Sequence, residues 1–422
     1  MNAPVAPSVA PVLPAFIPDL HPYGVKPQHR PRTRDELIDA ARGVLPILKK
    51  NAVQTNELQR PADESVEAIV RAGLTGLMRP KAYGGPGLEL SEMLDVISVL
   101  AEGCANTAWV NIVYESHNWL MGMMTKEGQD DVFGTNDVVL SCGVFNPAGA
   151  KARAVDGGYM LSGRWSFGSG STHSNFACLN AEIEGREHNG HPESRLMAVP
   201  RNMYQVLDTW HVRGLRGTGS HDIYIGDEIF VPERRTVDSE ALVEGTGPGG
   251  KLHDVVAYRV PAIAGAHPMP AAVVLGATKA AVEVFKQSTL KRVRAFTGAK
   301  EFESPAAAAR LGRARIEVEA AELLLRSVLR EVEAEIRADR PVTIELRSKL
   351  RMATAYAPNL CKQAITSLLE GSAASSMGEN AALSAALLDV TIATQHASLV
   401  YDSGPENYGR VLMGLEPSNP VI

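Results

Sequence analysis

The stretch "DVVLSCGVFNPAGAKARAVDGGYMLSGRWSFG", residues 137–168, is where the texture of the chain changes. It breaks into short strand-like runs, and Asp156-Gly157-Gly158 between two of them suits a hairpin turn. Strand-like runs continue downstream in "FACLNAEI", "SRLMAV" and "HDIYIGDEIFVP". Upstream the apolar period is helical. It begins at Thr33-Arg34-Asp35-Glu36, a capping box in which Thr33 satisfies an early backbone donor and Glu36 reaches back to the cap. Helical periodicity returns after about residue 253, with segments near 268–297, 306–337, 342–372 and 381–402, enough for an antiparallel four-helix bundle.

The expected class is therefore α+β, in the order helices, sheet, helices. We expect a Pro-rich arm over 1–30, an all-α domain over 31–130, a barrel-like central β domain over 131–235, a linker over 236–252 and the bundle over 253–422. The opening 32 residues carry eight of the 26 prolines, which favours an extended arm that wraps a neighbour or stays mobile. The linker contains Gly245-x-Gly247-x-x-Gly250, the spacing of a dinucleotide fingerprint. Its context is wrong for one: "SEALVE" is no convincing strand, Pro248 interrupts the motif, and the glycines read as a flexible connector.

Composition narrows the function classes. The 422 residues are 45% hydrophobic with a net charge of −6, a globular balance without the Lys/Arg blocks that nucleic acid or an anionic membrane would need. No uninterrupted apolar run reaches the length of a membrane span, and the N-terminus lacks a signal-peptide pattern, so a cytoplasmic location is expected. Cys104, Cys142, Cys178 and Cys361 are scattered, which favours core thiols over disulfides or a metal site.

Two histidines share an apolar stripe at helical spacing. His396 follows Leu388 and Ile392 in steps of four, and His117 follows Trp109 and Val113 in the same way. Spacing alone reads each as a satisfied core histidine first and as a chemical group second. In "RWSFGSGSTHS" (164–174), Trp165 and Phe167 could wall a planar ligand while Ser166 and Ser169 offer hydrogen bonds; a bulge with buried aromatics is the other reading. "RGLRGTGSHD" (213–222) reads as turn chemistry, and Arg292 and Arg294 in "LKRVRAFTG" (290–298) suit either a solvated helix end or a phosphate.

The order of domains resembles the acyl-CoA dehydrogenase fold. Five motifs, "CANTAWVNIVYESH", "GRWSFGSGSTHS", "RVRAFTGA", "TQHAS" and the closing "GRVLMGLEPSNPVI", are similar to the oxygenase components of two-component flavin-dependent monooxygenases, typified by 4-hydroxyphenylacetate 3-hydroxylase. That resemblance implies reduced FMN or FAD delivered by a separate NAD(P)H:flavin reductase, O2 as co-substrate, a C4a-hydroperoxyflavin, hydroxylation of a small aromatic, no metal, and a homotetramer.

By the same resemblance, His396 matches the histidine beside the oxygen-reacting face of the flavin, and Ser169 the serine at flavin N5. An imidazole titrating near neutrality would supply a proton there. His117 matches the histidine that meets the substrate hydroxyl, with Trp109 a neighbouring wall. Ser141 lies in the segment touching the flavin pyrimidine side, Trp165 and Phe167 near the isoalloxazine, and Arg292 and Phe296 in the motif reaching the flavin of an adjacent subunit.

Departures from the hydroxyphenylacetate enzyme fall in the substrate pocket. Gly143 stands where it has a serine, Ser398 where it has a tyrosine, and Arg259 is the candidate for its carboxylate-binding arginine. A differently shaped ring, such as indole or indole-3-acetate, is expected, with Asn111 and Glu115 facing either solvent or an indole N–H. An acyl-CoA dehydrogenase or oxidase is the competing enzyme. It would carry a catalytic glutamate where "TQHAS" stands, or on an earlier bundle helix, yet 253–280 holds no glutamate. A non-catalytic relative of the fold is the third reading.

Overall fold

The structure, a computed structural model, describes residues 10–13, 25–188, 190–378 and 380–418. The first helical layer comprises α1 (Arg34–Lys50), α2 (Ala52–Leu58), α3 (Asp63–Arg71), α4 (Leu90–Ala101), α5 (Ala105–Met121) and α6 (Lys126–Gln129). The Thr33/Glu36 capping box is present at α1, and a second, Glu89/Glu92, opens α4. Most of α5 is buried, because it lies between the other helices and the sheet.

Eight strands follow: β1 (Ser141–Val144), β2 (Ala150–Val155), β3 (Gly158–Gly168), β4 (Phe176–His188), β5 (His191–Pro200), β6 (Gln205–Leu207), β7 (His221–Pro232) and β8 (Thr236–Asp238). They form one sheet ordered β6-β7-β3-β2-β4-β5-β8, with β1 pairing parallel to β4. The β2–β3 hairpin turns at Asp156-Gly157, where Gly157 takes φ 72°. The register of β3 against β7 slips by one residue between Trp165 and Gly168, a bulge in which Phe167 sits at φ 69°. Residues 11–13 of the proline-rich segment join the sheet edge: Leu13 N–H donates to Val206 and Val12 bridges Leu207. Residues 1–9 and 14–24 lie outside the described residues.

The segment 236–252 is more ordered than a flexible glycine connector. It carries α7 (Ser239–Glu244), whose Leu242 is fully buried, and a 3-10 turn at Pro248–Lys251 in which Gly249 packs on the 122–123 backbone. The C-terminal layer is α8 (Ala262–Ala266), α9 (Met269–Lys291), α10 (Pro305–Arg337), α11 (Ile344–Glu370), α12 (Ala382–Ala393) and α13 (Ser403–Leu412). The segment 262–291 is long and apolar enough by composition to cross a membrane, yet 72% of its apolar window is buried against other elements. The expected fourth helix over 381–402 is shorter. It stops at Ala393, and α13 follows after a turn and packs on α11. All four cysteines are buried and free.

Candidate functional site

The site is built on one stripe of α5. Trp109, Val113 and His117 succeed one another by four residues, so Trp109 and His117 lie about 12 Å apart along the axis on the same face. At the first end, Trp109 Nε1–H donates to Ser169 Oγ at 3.3 Å, and its indole meets the His396 ring edge-on, centroids 5.5 Å apart. One indole therefore joins a residue of the β3–β4 loop to a residue of the bundle.

Ser169 is delivered there by the β3 bulge, which also turns Phe167 outward, mostly exposed and edge-on to Trp210 at 6.1 Å. Trp165, expected beside it as a wall, is corrected. It points to the opposite face, within the core of the sheet, and its N–H is satisfied by the Asn180 carbonyl at 2.7 Å. Residues two apart share one face of a regular strand, and the register slip between Trp165 and Gly168 breaks that alternation, which leaves Phe167 on the open side.

Behind Ser169 runs a chain of hydroxyls that the sequence reading of 213–222 treated as plain turn chemistry. Ser169 Oγ is 2.7 Å from Ser220 Oγ, Ser220 Oγ is 2.7 Å from Thr218 Oγ1, and Thr218 donates to the Leu215 carbonyl at 2.8 Å. Two buried side chains anchor this loop: Asp389 on α12 accepts from Leu215 N–H at 2.6 Å and from Asn106 Nδ2 at 2.9 Å, while Asn106 Oδ1 accepts from Gly217 N–H at 2.9 Å. Burial pushes Asp389 up to about 6. Asp389→Ala leaves two buried donors without partners and is expected to cost roughly 3 kcal/mol, read by urea denaturation.

His396 lies in the turn after α12 rather than on the expected helical stripe, and Leu388 is exposed. The turn is held by Arg351 of α11, whose guanidinium donates to the carbonyls of Ala397, Ser398 and Val400. Ser398 N–H donates to His396 Nδ1 at 3.2 Å, so Nε2 carries the proton and points its donor elsewhere. The ring is solvent-accessible on one side yet deep-set among protein atoms. That enclosure, and then the Arg351 charge, push its pKa down to about 4. Water on the open side works against the depression, but both causes favour the neutral ring, which corrects the expectation of a group titrating near neutrality. His267, half-buried, is held down to about 3 by burial and then by the charges of Arg351 and His396.

At the other end of the stripe, His117 Nδ1 donates to the Val113 carbonyl at 2.7 Å, leaving Nε2 as an acceptor. Burial pushes its pKa down to about 4, against the opposing pull of the Val113 and Ser141 backbones. Ser141 is fully buried and donates its hydroxyl to the Cys142 carbonyl. Gly143 faces the histidine directly: a Cβ there would lie 2.7 Å from His117 Cδ2 and Nε2 and would overlap the Cys178 carbonyl. Space expected from a lost side chain is thus occupied by the His117 ring.

Two further expectations change, and the surface position of Arg292 and Phe296 leaves theirs standing as it was. Arg259 pairs with Asp339 at the surface, 2.7 Å apart, instead of entering the pocket. Glu115 accepts from the Gly76 and Met78 N–H groups and Asn111 donates to the Leu74 carbonyl, so both serve the 74–78 connector. Arg292 sits 3.8 Å from Glu301 at the end of α9, and Phe296 is fully exposed at the tip of the hairpin closed by Val293 and Lys300.

A flavin suits this arrangement. Phe167, exposed and edge-on to Trp210, stands two residues from Ser169, whose hydroxyl and the His396 ring both meet the Trp109 indole, and these are the aromatic, acceptor and donor groups that a planar ring with N–H and carbonyl edges requires.

Comparison with known proteins places the chain. Residues 33–132 match the acyl-CoA dehydrogenase N-terminal domain and residues 269–401 the acyl-CoA dehydrogenase C-terminal domain. The chain is similar to the pigment production hydroxylase of a Rhodococcus species, 31% identical over 92% of this chain and 99% of that protein. It is 30% identical to the oxygenase component of the FADH2-dependent resorcinol hydroxylase of a Rhizobium species, over 92% and 96% of the two chains. Among solved structures it is similar to 3-HSA hydroxylase from Rhodococcus sp. RHA1, with a TM-score of 0.85, 28% identity, and 92% and 99% of the chains covered.

Proposed function

Because this chain belongs to the oxygenase components of two-component flavin-dependent monooxygenases, within the acyl-CoA dehydrogenase fold, we propose that it hydroxylates a small phenol or indole beside Trp109, Ser169 and His396. The enzyme works with reduced FMN or FAD made by a separate flavin reductase. The observation carrying the residue assignment is the Trp109 indole, which binds Ser169 and touches His396 on the helix stripe that also presents His117.

Bound reduced flavin supplies the two electrons that activate O2, one oxygen atom entering the aromatic ring and the other leaving as water. Ser169 would accept a ring N–H of the flavin, and Phe167, exposed two residues before it, would help hold the ring. His396, neutral and with its proton on Nε2, would donate at the oxygen-reacting position of a bound reduced flavin. His117 Nε2 accepts the proton of the substrate hydroxyl or indole N–H, raising electron density on the ring carbon to be attacked. Gly143 borders this end, and Ser398 lies at the His396 end. The fully exposed Phe296 and neighbouring Arg292 complete the flavin site of a second copy in a homotetramer, and the enzyme acts in the cytoplasm.

A competing acyl-CoA dehydrogenase chemistry needs a carboxylate base, whereas the matching turn holds His396, and the nearby Asp389 is engaged with Leu215 and Asn106.

The test mixes the anaerobic protein and reduced FMN or FAD with oxygen and a panel of phenols and indoles. Hydroxylated product and a delay before oxidised flavin reappears are expected; immediate reoxidation with peroxide and no product from any ring sinks the reading. Protonation takes from His117 the lone pair that accepts the substrate proton, while His396 stays a donor, and both have pKa values held down to about 4. Product yield is therefore expected to stay level from pH 8 to about pH 5.5 and to fall only on approach to those values; a fall centred on pH 6.5 contradicts the neutral rings.

A further inference from the structure

We propose that Thr218 and Ser220 are positioning residues that fix Ser169 as a hydrogen-bond acceptor, so that the site selects reduced over oxidised flavin. This rests on the reading above that Ser169 meets flavin N5.

The direction of every bond in the hydroxyl chain follows from its far end. Leu215 ends the chain with a carbonyl, which only accepts, so Thr218 spends its single hydroxyl proton there at 2.8 Å. Turning that proton away would set two lone-pair oxygens face to face at the same distance. Thr218 can then only accept from Ser220 at 2.7 Å, and Ser220, its proton spent, can only accept from Ser169 at 2.7 Å. Ser169 thus donates inward, accepts the Trp109 N–H at 3.3 Å, and keeps one lone pair for a ligand.

Reduced flavin carries a hydrogen on N5 and oxidised flavin a bare lone pair. An acceptor-only Ser169 welcomes the first and repels the second. An isolated serine would rotate its hydroxyl and bind both. Asp389 and Asn106, by gripping Leu215 and Gly217, keep the carbonyl end of the chain in place, which makes the polarity a property of the fold and not of Ser169 alone.

Anaerobic titration of the full-length protein with FMN and FAD, oxidised and dithionite-reduced, reads the preference as a ratio of Kd values. Wild type is expected to favour the reduced form. Thr218→Val, which leaves Ser220 free to donate back to Ser169, is expected to lower that ratio about tenfold, the scale of one hydrogen bond made and one lost. Most of the change should come from tighter binding of oxidised flavin, and Thr218→Ser is expected to restore the wild-type ratio. Ser220→Ala frees the Ser169 proton by a second route and should act in the same direction, so the test stands if one variant does not fold. A ratio unchanged in folded Thr218→Val and Ser220→Ala, with wild type still preferring reduced flavin, overturns the proposal and leaves the monooxygenase reading intact. No preference in wild type overturns both the proposal and the assignment of Ser169 to N5.

Discussion

Replacing His396 by alanine is expected to lower the rate of oxygen transfer to the aromatic ring by about a hundredfold or more, the usual worth of a positioned proton donor. Reduced-flavin binding should change only a few-fold, because Ser169, Trp109 and the loop behind them are untouched. The signature is uncoupling: flavin is still reoxidised, but as hydrogen peroxide without product. The substitution removes an Nε2–H whose tautomer is set by Ser398 N–H at Nδ1 and whose turn is clamped by Arg351. His396→Asn, which keeps a neutral N–H donor on a short side chain, is expected to recover part of the coupled yield. Full coupling in His396→Ala would remove this residue from the chemistry.

Gly143→Ser should damage both stability and turnover, even though a related enzyme carries a serine at the aligned position. Gly143 pairs with Cys178 across the parallel β1–β4 contact, and any Cβ overlaps the Cys178 carbonyl while standing 2.7 Å from the His117 ring. Either β1 lifts from β4 or the imidazole turns away. Overpacking of this kind costs about 1–3 kcal/mol, visible as a lowered denaturation midpoint. Displacement of His117 removes the substrate's proton acceptor, so coupled hydroxylation is expected to fall about a hundredfold. A variant with wild-type stability and activity would show that β1 has room that the structure denies it.

Much of the architecture was legible because its signals are local. The Thr33/Glu36 box, the Asp156-Gly157 turn and the change of period near residue 137 each concern residues a few positions apart, and the α1 cap, the β2–β3 hairpin and the helix-to-sheet boundary follow them. The α5 stripe was equally readable, since steps of four on one helix fix a face without help from elsewhere.

Signals that depend on a partner were misread. Apolar spacing continues past Ala393, so His396 looked helical; the Arg351 clamp that holds the turn comes from another helix. Trp165 and Phe167, two residues apart, read as one face of a strand and as two walls of one ligand, whereas the register slip against β7 sends them to opposite faces. Thr218 and Ser220 resemble ordinary turn residues until the loop is gripped by Asn106 and Asp389.

By itself, then, the sequence determined the order of the layers, the helix that carries Trp109 and His117, and the kinship that points to His396 and Ser169. Only the tertiary structure decided which protons those groups hold. A tautomer or a hydroxyl's direction is set by the atom at the other end of the bond, and here those atoms lie on loops and helices far away in the chain.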